Sequence, residues 1–353
     1  KEEIPAISIA GIKVNNENCH DILNDGGKVS YDDGIVALSD AYITEGSITK
    51  DGYVVAIDSE FPNDIYFYLI GDNVIDLREY SGQKVAGIFA NGEITFDGYG
   101  SLTILLPGGE SSIGIKTNKD VYIGDAFATV SVSIEDGKES IGISCDNFNA
   151  LSNRDVEVSI GEAQKSYGIL CEGDLVQKRN GNIKVTSKAS GDEVAAVKLG
   201  GMYDCMYSYG WMQAIASGEK SYGFICNGDI NFDRKDIGSE SYIFQGGTQG
   251  FLNNKEDATY TLGTYALKAK NQISDDIFVE TPVFDDLSSY QYVEFQSKYF
   301  AYNQLKPVCT VTTAPYTDTI TFSEKPESVS LNAYDVDIGM WSHFELVSKF
   351  KPA

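Results

Sequence analysis

Along the middle of the chain, apolar and polar positions alternate in short bursts separated by turn residues, and the bursts recur. The pattern apolar–Gly–apolar–x–small reads Ala86-Gly87-Ile88-Phe89-Ala90, Ile113-Gly114-Ile115-Lys116-Thr117, Ile141-Gly142-Ile143-Ser144-Cys145 and Tyr167-Gly168-Ile169-Leu170-Cys171. A degenerate copy, Ala195-Ala196-Val197-Lys198-Leu199, precedes Tyr222-Gly223-Phe224-Ile225-Cys226. The anchors 87, 114, 142, 168, 196 and 223 lie 27, 28, 26, 28 and 27 residues apart. A weaker, shorter-spaced copy is read at Tyr242-Ile243-Phe244. Relative to the anchor, positions −1, +1 and +3 are apolar or small, while the anchor and +2 vary. That is the period of a strand with one buried face.

Each repeat carries two further bursts. The second is seen in Glu93-Ile94-Thr95-Phe96, Asp120-Val121-Tyr122-Ile123 and Asp229-Ile230-Asn231-Phe232. The third is seen in Leu102-Thr103-Ile104, Val130-Ser131-Val132, Val156-Glu157-Val158 and Ile183-Lys184-Val185. Turn sequences such as Asp97-Gly98-Tyr99-Gly100 and Asn180-Gly181 separate them. Three strands in about 27 residues describe one coil of an all-β, right-handed parallel β-helix, and the 3.6-residue period of helical repeats is absent. Residues 81–270 are read as the regular helix. Residues 1–80 are read as an N-terminal cap with irregular first coils, because an open solenoid end exposes unpaired backbone. Residues 271–353, aromatic-rich and without the repeat, are read as a C-terminal β cap or a small appended β module.

Stacking makes equivalent positions into files about 4.8 Å apart per coil. The +1 file is Ile88, Ile115, Ile143, Ile169, Val197 and Phe224, expected as a buried aliphatic spine. Cys145, Cys171 and Cys226 share the +3 file with Ala90, Thr117 and Leu199. They are expected to be reduced and buried, as small apolar fillers. Cys171 and Cys226 lie two coils apart, about 10 Å, too far to bridge, and stacking holds Cys145 and Cys171 wider than a disulfide prefers. The anchor glycine is expected to face outward, where its recurrence means either a crowded outer face or a special backbone angle.

Charge narrows the function. Lys+Arg 27 against Asp+Glu 52 gives a net charge of −25, which repels phosphate backbones and excludes nucleic acid as a partner. No apolar run of 18 residues or more exists, so no transmembrane segment is expected. The opening Lys1-Glu2-Glu3-Ile4-Pro5 is not a charged-then-apolar leader. The expected location is extracellular or cell-surface, with the leader removed. No C-x-x-C pair and no EF-hand ligand order occur, so neither a metal nor a cofactor is expected.

Chemistry-bearing residues are few. His20 and His343 fall outside the regular coils, and the arginines are Arg78, Arg154, Arg179 and Arg234. The acidic pairs Asp32-Asp33, Asp275-Asp276 and Asp285-Asp286 read as turn residues, with glycoside hydrolysis as the alternative role. The +2 file, Phe89, Lys116, Ser144, Leu170, Lys198 and Ile225, carries no carboxylate. No catalytic residue is assigned, and a β-helical polysaccharide lyase or glycoside hydrolase is the alternative to a non-enzymatic protein. One aromatic cluster is a ligand candidate: Tyr203, Tyr207, Tyr209 and Trp211, with Met202 and Met206 among them. Aligning Gly210 with Gly181 turns Met212 and Ala214 inward and Trp211 outward, where a ring could stack on a sugar face.

The coil motif, as it stands in Gly87 through Phe96, Gly168 through Leu175 and Gly223 through Phe232, resembles a family of bacterial surface proteins. These are described as carbohydrate-binding-domain-containing, with repeats of the form Gly-Ile-Tyr-Ala-x-Gly-Asp-Leu-Thr-Ile. The resemblance covers roughly residues 30 to 270 and departs at Ala195-Ala196-Val197 and in the coil after Cys145, where local distortion is expected. It implies a right-handed β-helix and an adhesin-like or glycan-binding role, with carbohydrate or a host or cell-surface protein as partner.

Overall fold

The computed structural model describes residues 6–60, 64–124, 127–179, 181–205, 208, 210–232, 241–256, 258–261, 265–270, 279–280, 290–297, 309–313, 319–320 and 344–348. The chain is nearly all β, a right-handed parallel β-helix of about seven turns of about 28 residues. Among the described residues the only helical element is the short 3-10 turn Arg78–Tyr80.

The first strand of each coil carries the anchor. Tyr53–Ser59, Lys84–Ala90, Ser111–Thr117 and Gly137–Cys145 stack in parallel register. The ends of the long strands Val156–Cys171 and Ile183–Leu199 continue the stack, followed by Ser221–Cys226 and Gln249–Asn253. The +1 residues Ile88, Ile115, Ile143, Ile169, Val197 and Phe224 are register partners, each fully buried. The file extends to Ile57 before them and Phe251 after. The anchors therefore continue to Ala56 and Gly250, and the copy read at Tyr242-Ile243-Phe244 is corrected. That segment belongs to the third strand, since Met212 pairs with Tyr242 and Ala214 with Phe244.

Nine second strands, from Ile35–Ser39 through Ile94–Gly98 to Tyr260–Thr261, form a separate sheet that Val29–Asp32 completes as a tenth strand. Their inward file is Ile65, Ile94, Val121, Phe148, Leu175, Tyr203 and Ile230. Third strands, such as Ser101–Leu106 and Thr129–Ile134, supply the file Ile75, Ile104, Val132, Val158, Val185, Ala214 and Phe244. One apolar core joins the three files along the described solenoid.

The anchor glycine does not face outward as expected. A Cβ on Gly87 would lie 2.6 Å from the Gly114 carbonyl oxygen and 2.7 Å from Ile104 Cγ2, an interior side chain of the third strand. Val132, Val158 and Val185 crowd Gly114, Gly142 and Gly168 in the same way. No anchor glycine has a positive φ, so close approach at an inner corner, not backbone angle, requires the missing side chain. The chain bends there. Position −1 leaves the main core, and Val55, Ala86 and Ile113 form their own cluster with Tyr53, Phe89 and Ile141. At the degenerate coil Ala195-Ala196-Val197, Ala196 adds a methyl, and the third-strand file shrinks from Val185 to Ala214 in the same step.

Acidic side chains serve the turns. Just before the second strand, Asp120 Oδ1 accepts from the Asn147 backbone N–H at 3.2 Å, and Asn147 Oδ1 from Asp174 at 2.7 Å. Asp174 Oδ1 accepts from Met202 at 2.7 Å, and Asp229 Oδ1 from Thr259 at 2.8 Å. Each such bond ties one coil to the next and satisfies a turn amide.

Strands of reversed direction cover part of each end. Ile7–Ile9 and Ser47–Ile48 run antiparallel to Tyr53–Ser59, and Val29–Asp32 runs antiparallel to Ile35–Ser39. At the far end Tyr292–Ser297 runs antiparallel to Ser241–Gln245. The chain divides into two compact units, 1–236 with 240–296, and 237–239 with 297–353. The second contains an antiparallel sheet of Cys309–Thr313, Thr319–Ile320 and Phe344–Ser348.

Candidate functional site

The predicted aromatic cluster separates in the structure. Tyr203 is 0% exposed and is withdrawn as a ligand-facing residue. It lies seven residues after its anchor, as Ile94, Val121, Leu175 and Ile230 do after theirs, and so points into the core. Its ring packs on Phe224, Phe232 and Tyr242, and its hydroxyl donates to Gln177 Oε1 at 2.6 Å. Tyr207 and Tyr209 lie outside the described residues. Trp211 is half-buried, while Met212 and Ala214 beside it are fully buried, as the Gly210–Gly181 alignment required. Its backbone is fixed by bonds to Asn182 Oδ1 and Gln177 Nε2.

Exposed aromatic surface occurs elsewhere on the same edge. Tyr99 and Phe127, in the turns before the third strand, are 71% and 44% exposed. Their rings stack at 6.0 Å with an interplanar angle of 26°. The Arg154 guanidinium lies 5.5 Å from the Phe127 centroid, and Ile70, one coil before Tyr99, is also exposed. Adjacent coils thus align Ile70, Tyr99, Phe127 and Arg154 into a ridge. Trp211 sits where this edge enters the third strand of a later coil, about 19 Å from Tyr99 at about 4.8 Å per coil. The sequence contained both ridge rings, but turn residues have no strand period to show which of them face solvent.

A second feature is a cleft of about 270 Å³ near the N-terminal end of the first-strand sheet. Asp58, Ser59, Phe89 and Ala90 form its floor, and Asp51, Glu60, Lys50 and Lys116 bring charge to it. Burial, then repulsion from Glu60, holds the Asp58 carboxyl above its ordinary range. Asp58 occupies +2 of the coil anchored at Ala56, so the outward file does carry a carboxylate. That coil stands 31 residues before Gly87 and has no anchor glycine, which hid it from the repeat.

The remaining candidates are structural. Cys145, Cys171 and Cys226 are buried and free, with 3.7 Å between the sulfurs of the first two. Cys19 and Cys205 are likewise free and buried. Asp32 ends its strand as the partner of Ile35, and Asp33 with Gly34 makes the hairpin turn between Val29–Asp32 and Ile35–Ser39, Asp33 at a φ of 43°. Asp275-Asp276 and Asp285-Asp286 lie outside the described residues. No metal-ligating group of three or more His, Cys, Asp or Glu occurs among the described residues, and no helix among them is long and apolar enough to cross a membrane. No family model, curated protein or solved structure matches this chain.

Proposed function

We propose that this protein is a non-enzymatic, extracellular surface protein of adhesin-like character that binds glycan along one edge of its solenoid. The observation that carries the reading is the exposed Tyr99–Phe127 ridge, flanked by Arg154. Apolar C–H faces of a pyranose ring pack on such rings, and a guanidinium beside them supplies donors to hydroxyl or carboxylate oxygens. The parallel stack fixes these side chains at one rung spacing, so a linear polysaccharide lying along the solenoid axis meets them in series. Trp211 lies further along the same edge. The resemblance of the coil motif to carbohydrate-binding-domain-containing bacterial surface proteins supports the same reading.

A glycan array with the purified chain tests it. Binding of a linear glycan should drop at least about tenfold in the Tyr99→Ala/Phe127→Ala double variant, with the bound glycan recovered unshortened. Circular dichroism should be unchanged, because both rings stand outside the core. Binding that survives the double variant removes the ridge as the site, and shortened glycan removes the non-enzymatic reading.

A further inference from the structure

Several charges on the surface pair between coils. Lys138 meets Glu110 at 2.6 Å, Lys184 meets Glu157 at 2.7 Å, and Lys165 meets Glu139 at 3.1 Å. The cleft instead gathers charges of both signs around one ring. Among the described residues, Asp58 and Glu60 form no ion pair and Lys50 and Lys116 meet no carboxylate, although all four line one cavity. The strand register orders its floor: Asp58 is the partner of Phe89, and Phe89 is the partner of Lys116. Carboxylate, phenyl ring and ammonium therefore follow one another in a single outward file, about 4.8 Å per step. Lys116 Nζ lies 5.5 Å from the Phe89 centroid, and Tyr53 backs the ring at 5.2 Å.

We infer that this cleft binds a zwitterion whose ammonium and carboxylate are separated by an apolar stem. The ammonium sits against Asp58 and Glu60, the stem lies along Phe89, and the carboxylate meets Lys116. Each end meets a charge that has no ion-pair partner among the described residues, and a cation beside Asp58 offsets the repulsion from Glu60. Lysine supplies this chemistry, either as the free amino acid or as the C-terminal residue of a polypeptide. The site is independent of the aromatic ridge, so its failure and the failure of glycan binding are separate results.

Isothermal titration calorimetry with ε-aminocaproate tests the inference. Saturable binding is expected, weakened about tenfold or more by Asp58→Asn and again by Lys116→Gln. Hexylamine and caproate, each lacking one charge, should bind about tenfold more weakly or not at all. Both substitutions lie on the outer face, and circular dichroism checks that the fold persists. Absence of saturable binding, hexylamine binding as tightly as the zwitterion, or wild-type affinity in either variant overturns it. A peptide ending in lysine, compared with its amidated form, then separates the two sources. Binding of the free-acid peptide alone identifies chain ends, and binding of neither peptide identifies the free amino acid.

Discussion

Substituting alanine for Gly142 tests whether the inner corner, and not backbone freedom, sets the repeat. The new Cβ would fall within impossible contact of Val158 Cγ1 and of the Gly168 carbonyl oxygen. Forcing a methyl into a filled interior costs about 1–3 kcal/mol. Lower unfolded-chain entropy returns about 0.5–1 kcal/mol; because one contact is with a backbone oxygen the cost sits at its upper end, leaving a net loss of about 2 kcal/mol. Val158→Ala alone removes two buried methyl groups and should cost about 2 kcal/mol, transfer and cavity together. Combined, the methyl introduced at position 142 occupies part of the space that Val158 vacates, as Ala196 stands with Ala214 in the natural sequence. The double variant should therefore lose less than the sum of the singles by about 1 kcal/mol or more. Equilibrium guanidinium unfolding of the four chains, followed by far-ultraviolet circular dichroism, measures the cycle, provided the slope is unchanged. A neutral Gly142→Ala, or strict additivity, would refute the argument.

Other consequences can be checked more briefly. Burial pushes the Cys226 thiol up to about 11 and raises Cys171 well above its ordinary value. Cys145 is buried in the same file, and Ellman's reagent at mildly alkaline pH should miss all three thiols in the native protein and count them after denaturation; a disulfide among them by mass spectrometry would contradict the file geometry. Ser140 Oγ is buried without a hydrogen-bond partner among the described residues, in a file where Val85 and Val194 also stand. Ser140→Ala should leave the unfolding midpoint unchanged or raise it, and a clear loss would mean the hydroxyl is satisfied. Asp58 has its folded pKa raised, so its charge detracts from stability above that pKa and ceases to do so as pH falls through the folded and then the unfolded value. Asp58→Asn should raise Tm at neutral pH by an amount that fades in acid. A pH-independent shift would show that the carboxylate is not the cause.

The coil was legible because its core positions recur at fixed offsets from a small residue. The same offsets located Tyr203 in the core, seven residues past Ala196, but its neighbours Met202, Trp211 and the other tyrosines gave the segment the look of an aromatic surface. The edges of the array were harder to see. Ala56 lacks the glycine, and the turn containing Arg78–Tyr80 lengthens the spacing after it. Gly250 was masked by Tyr242-Ile243-Phe244, whose alternation is that of a genuine strand in a different sheet position. Neither the cleft nor the ridge follows from periodicity, because both depend on which outward or turn residues become neighbours across coils. The direction of the anchor glycine was likewise hidden, since a bend places two successive residues inward and breaks simple alternation.

The reversed strands at the two ends have a consequence for assembly. A parallel stack is indifferent to where its next rung comes from, so a bare terminal rung of one molecule would accept the first rung of another and grow into a filament. Ile7–Ile9 and Ser47–Ile48 occupy that acceptor edge on Tyr53–Ser59 with the opposite polarity, and Tyr292–Ser297 does so on Ser241–Gln245. Polymerisation through these rungs is blocked by the chain's own segments. At these two rungs the edge that would recruit a second molecule is already occupied, so end-to-end growth there would first require the chain to release its own strand.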